Sequence, residues 1–209
     1  MTIYAEAKEI KRRADTVLEE LFRSLFEEID TDKLRREVDA MREAAPDFVA
    51  RQHARTLARR TAIRCAAAGA VTGLPLGLAA IGTLGADLAY LIYQQFRLIL
   101  GIAAVYGQDL TARERFNEAL SCIAYATGVG AGKQGIAMLG SAALVEKISA
   151  RALREQLAKL IPIVGAVSGG ALNYVSVHAV SRAAIRYYES RVDPVVADEI
   201  WAEGDREHA

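Results

Sequence analysis

The chain has 209 residues, enough for one large domain or a core with a helical appendage, and its 26 basic residues are matched by 26 acidic ones. That balance leaves the whole molecule no electrostatic reason to seek nucleic acid or another polyanion, so any basic function has to be local. Two cysteines far apart in sequence, Cys65 and Cys122, with no CxxC and no Cys/His cluster, exclude a disulfide framework and a zinc site and suit a reduced cytosol.

The opening MTIYAEAKEIKRR is charged and amphipathic, without the apolar core of a secretory signal, and the expectation is that the bulk of the protein stays on the cytoplasmic side. From Tyr4 to Ile29 the apolar positions Ile10, Ala14, Val17, Leu18, Leu21, Phe22, Leu25, Phe26 and Ile29 recur with helical period. Asp30-Thr31-Asp32 supplies caps for a second helix from Lys33 to Ala44, apolar only at Leu34, Val38 and Met41. Pro46 suits the first turn of a third helix.

That third helix crowds Arg51, Arg55, Arg59, Arg60 and Arg64 onto its length with no comparable acidic compensation nearby. Two readings stand: a solvated face paired with acids such as Glu27, Glu28 and Glu37, or a juxtamembrane basic patch that contacts anionic lipid. Nucleic acid is disfavoured because no aromatic side chains interleave for base stacking. The run from Cys65 to Ala86 then carries no charge for about 22 residues, the length of a membrane span. Gly69, Gly73 and Gly77 recur every fourth residue, a surface that lets a neighbouring helix approach closely, while Pro75 divides the run into two short segments. Both a buried core hairpin and an embedded one fit this composition.

From Asp87 the chain reads as a bulky apolar helix (Leu88, Leu91, Ile92, Phe96, Leu98, Ile99) along which Asp87, Tyr90, Gln94 and Arg97 form a polar stripe, ending near Gly107. Asp109-Leu110-Thr111 caps a further helix from about Ala112. The following Thr127-Gly128-Val129-Gly130-Ala131-Gly132-Lys133-Gln134-Gly135 matches G-x-G-x-x-G. It lacks a Walker loop's first glycine at Thr127 and its Ser or Thr at Gln134, and no strand precedes it. A helix connection fits better than a nucleotide site. Ile136 to Leu160 is again helical, Pro162 interrupts it, and Leu160 to Ser181 forms a second uncharged run in which Tyr174, His178 and Ser181-Arg182 share one side. Asp193-Pro194 starts a last short helix through Trp201.

Several of these residues carry a resemblance. The Gly/Ala-rich segment with Pro75 and Gly82, then Ala86-Asp87, Gln94, Arg97-Leu98 and Tyr106-Gly107-Gln108-Asp109, is similar to the EcsC family of bacterial proteins. Lys159-Leu160-Ile161-Pro162-Ile163-Val164-Gly165 followed by Asn173-Tyr174 resembles that family's second block, so the likeness runs from about Ala50 to Arg191. The resemblance implies a membrane-linked helical protein and no established reaction.

The expected architecture is all-α: a bundle of about eight helices with Gly/Ala-rich hairpins at its centre, an amphipathic region over 1–45, a core over 46–192 and a short helix and tail over 193–209. Candidate ligand-binding residues are Asp87, Gln94, Arg97, Asn173, Tyr174, His178 and Arg182, with Asp87 expected to pair with Arg97 or Arg182. The competing account of these residues is a buried network that fixes helix register. Arg51, Arg55, Arg59, Arg60 and Arg64 are the candidate membrane contacts; His53 and His208 read as surface residues, and no motif calls for a metal or cofactor. The leading expectation is a non-enzymatic protein of the cytoplasmic membrane face, acting through membrane lipid or a membrane transporter. A soluble bundle enclosing a lipid-like amphiphile is the alternative, and a hydrolase using Asp87 and His178 the third.

Overall fold

The computed structural model describes residues 16–72, 79–128, 141–158 and 165–192. Among them are seven helices and no strand. They are α1 (16–27), α2 (Thr31–Ala44), α3 (Ala50–Thr72), α4 (Ala79–Val105), α5 (Arg115–Ala126), α6 (Ser141–Ala158) and α7 (Gly165–Glu189). The fold is therefore all-α. The break at Pro75, the glycine cluster around Lys133, the interruption at Pro162 and the helix from Asp193 lie outside the described residues.

Local chemistry accounts for most helix ends. The Asp30 side chain accepts from the Lys33 amide at 2.8 Å and starts α2, which then buries Leu34, Val38 and Met41 on one face. α4 ends where Gly107 turns to φ +71: the Gly107 amide donates to Ala104 O and the Gln108 amide to Ala103 O, the paired bonds of a Schellman cap. Arg42 from α2 reaches the same helix end, Nη2 donating to Val105 O at 2.6 Å and to Ala104 O at 3.4 Å.

Two helix starts differ from the sequence expectation. Pro46 is not in α3, because the Phe48 amide closes a turn on Ala45 O and α3 begins at Ala50, with Gln52 Oε1 accepting from the Val49 amide. Nor does α5 begin at Ala112: Asp109 spends its carboxylate on the amide and hydroxyl of Thr111, a local turn that competes with helix, and α5 starts at Arg115.

Three long helices form the centre. α3 and α7 run antiparallel, with Arg51 on Glu189 at one end and Asn173 Nδ2 donating to Cys65 O at 3.1 Å towards the other. α4 runs parallel to α7, since Tyr106 Oη donates to Glu189 Oε1 and Gln95 Nε2 to Ser176 Oγ. The end at Glu189 is the base; the end at Thr72, Ala79 and Gly165 is the tip. Cross-sections through Arg51, Tyr106 and Glu189 and through Ile63, Gln95 and Ser176 thus lie at two heights on one rod.

The amphipathic N-terminal helices belong to the same core. Phe22, Ile29, Leu34, Val38 and Met41 are buried, and Phe22 and Phe26 meet Phe96 edge-on while Phe26 meets Phe116.

Candidate functional site

The base is held by two carboxylates, Glu118 buried and Glu189 nearly enclosed. Glu189 takes Arg51 in a two-pronged ion pair (2.7 and 3.0 Å) and the Tyr106 hydroxyl at 2.8 Å, tying α7 to α3 and α4. Glu118 on α5 takes Arg115 from its own helix, Arg191 from beyond α7, and the Tyr188 hydroxyl at 3.2 Å. Burial, with the neighbouring carboxylate, pushes the Tyr106 and Tyr188 phenols well above their ordinary range, so both remain hydrogen-bond donors at any physiological pH. Burial likewise raises the Cys122 thiol to about 12, which leaves it inert.

Gln94 Oε1 and His178 Nε2 are enclosed without a hydrogen bond among the described residues. Burial first, and Arg182 second, lower the pKa of His178, whose ring lies 4.5 Å from that of Tyr174.

Of the candidate ligand residues, Tyr174, His178 and Arg182 stand together on α7, while others are drawn elsewhere. Arg97 forms its ion pair with Glu37 of α2, while Arg182 faces solvent on α7. Asn173 is spent on the Cys65 carbonyl, and Gln94 is closed into the bundle. The side chain of Asp87 is outside the described residues, but its place on α4 is fixed. It stands ten residues from Arg97 on one continuous helix, about 15 Å of rise, and some 13 Å tipward of His178 by the α4–α7 register. His53 is a correction to the sequence reading: it is 3% exposed, not a surface residue. It sits on the α3 flank turned inward, beside Phe48 and Arg42 at a cleft of about 450 Å³.

The outer surface of the α3–α7 pair is built differently. These two helices share the most extensive helix contact among the described residues. They carry seven arginines and a single acid, Glu189, which Arg51 already occupies. Arg55, Arg59, Arg60, Arg64, Arg182 and Arg186 are exposed. None of the six has an ion-pair partner among the described residues; Glu37, one of the acids expected to neutralise them, belongs to Arg97. Exposed aliphatic side chains accompany them: Ile63 (53%) on α3, Leu172 (38%) and Val175 (60%) on α7.

A model of the EcsC protein family matches residues 8–192. The chain belongs to the EcsC family. Neither a search of the curated proteins nor one of the solved structures found a match. In this EcsC chain the residues that carried the likeness have visible structural work: Arg97 ties α4 to α2, Tyr106 joins the base clamp, Gly107 closes α4, Asp109 holds the turn before α5, and Asn173 locks α7 to α3. Sequence reading missed Glu189 and Glu118 as the partners that organise the base. Glu189 had one signal, being the only acid of its helix. Glu118 had another, standing three residues after Arg115 on the apolar face of α5.

Proposed function

We propose that this EcsC protein is a peripheral, non-enzymatic protein of the cytoplasmic membrane face that docks on anionic lipid through the outer surface of α3 and α7. The observation that carries this reading is the charge of that pair: six exposed arginines without ion-pair partners among the described residues, on two adjacent helices of a chain whose total charge is zero. Each arginine near an anionic leaflet contributes about 1 kcal/mol before screening, so even half of the set suffices for reversible attachment. The exposed Ile63, Leu172 and Val175 among the arginines favour lipid over nucleic acid, since acyl chains accept aliphatic groups and a phosphodiester backbone does not.

Attachment to the surface fits better than a span. Within α4, Leu88–Val105 is long and apolar enough to cross a bilayer, yet 67% of it is buried inside the bundle, as expected of a core helix. The test is co-sedimentation of the full chain with vesicles of phosphatidylglycerol and phosphatidylcholine against vesicles of phosphatidylcholine alone. Binding to the anionic vesicles only, weakening steeply with salt, is expected. Equal affinity for both, or binding to duplex DNA in preference to the anionic vesicles, overturns the reading.

A further inference from the structure

We infer that the α3–α7 surface does not lie flat on the bilayer but docks tilted, the tip half entering the acyl boundary while the base half stays among the phosphates. This rests on the membrane reading above and adds a direction to it. The register of the three long helices sets the heights. Ile63, Gln95 and Ser176 stand at one level, by the contacts that join Cys65 to Asn173 and Gln95 to Ser176. At 1.5 Å per residue, Val175, Tyr174 and Leu172 lie within about 6 Å of that level on the tip side. All are exposed, Tyr174 at 40%.

On the base side of Ile63 the surface changes character. Five of the six exposed arginines, Arg60, Arg59, Arg182, Arg55 and Arg186, follow in that order from about 4 to 15 Å behind it, and only Arg64 stands tipward, by one residue. The large apolar residues at those heights are turned inward, Val180 at 0% and Ile185 at 7% exposed. A face that was to lie flat would mix the two kinds along its whole length. Here the exposed aliphatic groups gather at and just tipward of the Ile63 level, with Arg64 the one guanidinium among them, while the other five arginines, without ion-pair partners among the described residues, lie baseward. That is the order met on passing from acyl chains to phosphates, Arg64 reaching back along its long stem. Tyr174 lies among the aliphatic groups, at a height between those of Leu172 and Val175, with a ring suited to the apolar side of the interface and a hydroxyl suited to its polar side.

The register also limits the depth. Asp87 lies on α4, behind the pair, about 12 Å tipward of Gln95, and no other acid occurs between Asp47 and Asp109. Because Asp87 stands nearer the tip than Ile63 and is held back only by its place on α4, a steep tip-down tilt would carry this acidic residue into hydrocarbon, which resists charge. Penetration is therefore shallow.

The experiment places one environment-sensitive NBD label at a time on Ile63→Cys, Val175→Cys and Ser190→Cys, the last an exposed position at the base. The native Cys65 and Cys122 are 0% and 3% exposed and do not compete for the reagent. Each labelled protein is bound to the phosphatidylglycerol and phosphatidylcholine vesicles, doped with acyl-brominated quencher lipid. Quenching at positions 63 and 175 with none at 190 is the expected result. A second variant, Ile63→Ser with Val175→Ser, is expected to sediment normally at low salt but to lose about tenfold in affinity at high salt, where aliphatic contact carries the binding. Equal quenching at all three positions, or none at any while the protein still sediments, overturns the tilt and leaves the membrane reading standing. Failure to sediment at all overturns both.

Discussion

Glu118 shows what a buried charge requires in this bundle. It is 5% exposed and faces Arg115, itself 5% exposed, with Arg191 and the Tyr188 hydroxyl completing its shell. Glu118→Gln leaves the Arg115 guanidinium buried without a counter-charge, and about 3–5 kcal/mol of stability should be lost, read from the urea unfolding midpoint at unchanged slope. The control is Glu37→Gln on the Arg97 pair, where the Glu37 side chain is 41% exposed; there the loss should stay below about 1 kcal/mol. A second prediction concerns the two imidazoles. Burial foremost, with Arg42 beside His53 and Arg182 beside His178, holds both below the ordinary 6.5. The unfolded chain then takes up protons before the native one does as pH falls. Stability should accordingly decline from about pH 6.5 downwards, and His53→Gln with His178→Gln should flatten that slope in a melting-temperature series across pH 5 to 8. At this scale sequence was a poor guide: His53 stands two residues from each of two arginines, Arg51 and Arg55, and nothing in that spacing says that α2 and Phe48 cover it.

Helix ends were more legible than helix starts. Gly107 announces the end of α4 because a residue with φ +71 and a charged, polar sequence beyond it admit few alternatives. Pro46 and Asp109, by contrast, are equally good residues for a first helical turn and for the turn that precedes one, and tertiary contacts decided between them: Arg42 on the α4 carbonyls and Arg115 Nε on Asp109 O at 2.8 Å. The two glycines around the α4 terminus should respond with opposite signs. Gly107→Ala meets nothing within 4 Å, so its cost is conformational, about 1 kcal/mol. Gly101→Ala sits inside α4, where a new Cβ touches Leu57 Cδ1 at 3.4 Å and Leu34 Cδ1 at 3.6 Å, ordinary packing distances. Removing a mid-helix glycine there should stabilise by up to about 1 kcal/mol. Thermal unfolding of the two single variants compares them directly.

On the scale of the whole molecule, the all-α plan and the amphipathic N-terminal helices could be read from periodicity. The partition of the arginines could not. Five arginines on α3 look alike in sequence, yet Arg51 faces Glu189 and Tyr106 at the base while Arg55, Arg59, Arg60 and Arg64 face solvent. That partition depends on which acid α7 brings to the end of α3, a contact 138 positions distant in sequence. It predicts a double dissociation. Arg51→Gln removes a charge from a nearly enclosed carboxylate and should lower stability by about 1–3 kcal/mol while vesicle binding of the folded fraction is unchanged. Replacing Arg55, Arg59, Arg60 and Arg182 together by Gln removes four solvent-facing charges that hold nothing in the fold, so unfolding should move by less than about 1 kcal/mol. Binding to the phosphatidylglycerol vesicles should nevertheless fall by up to about 4 kcal/mol at low salt, close to a thousandfold, and by less as screening increases. If both variants weaken binding equally, the surface arginines act through the fold and the charged face of α3 and α7 is not the attachment site.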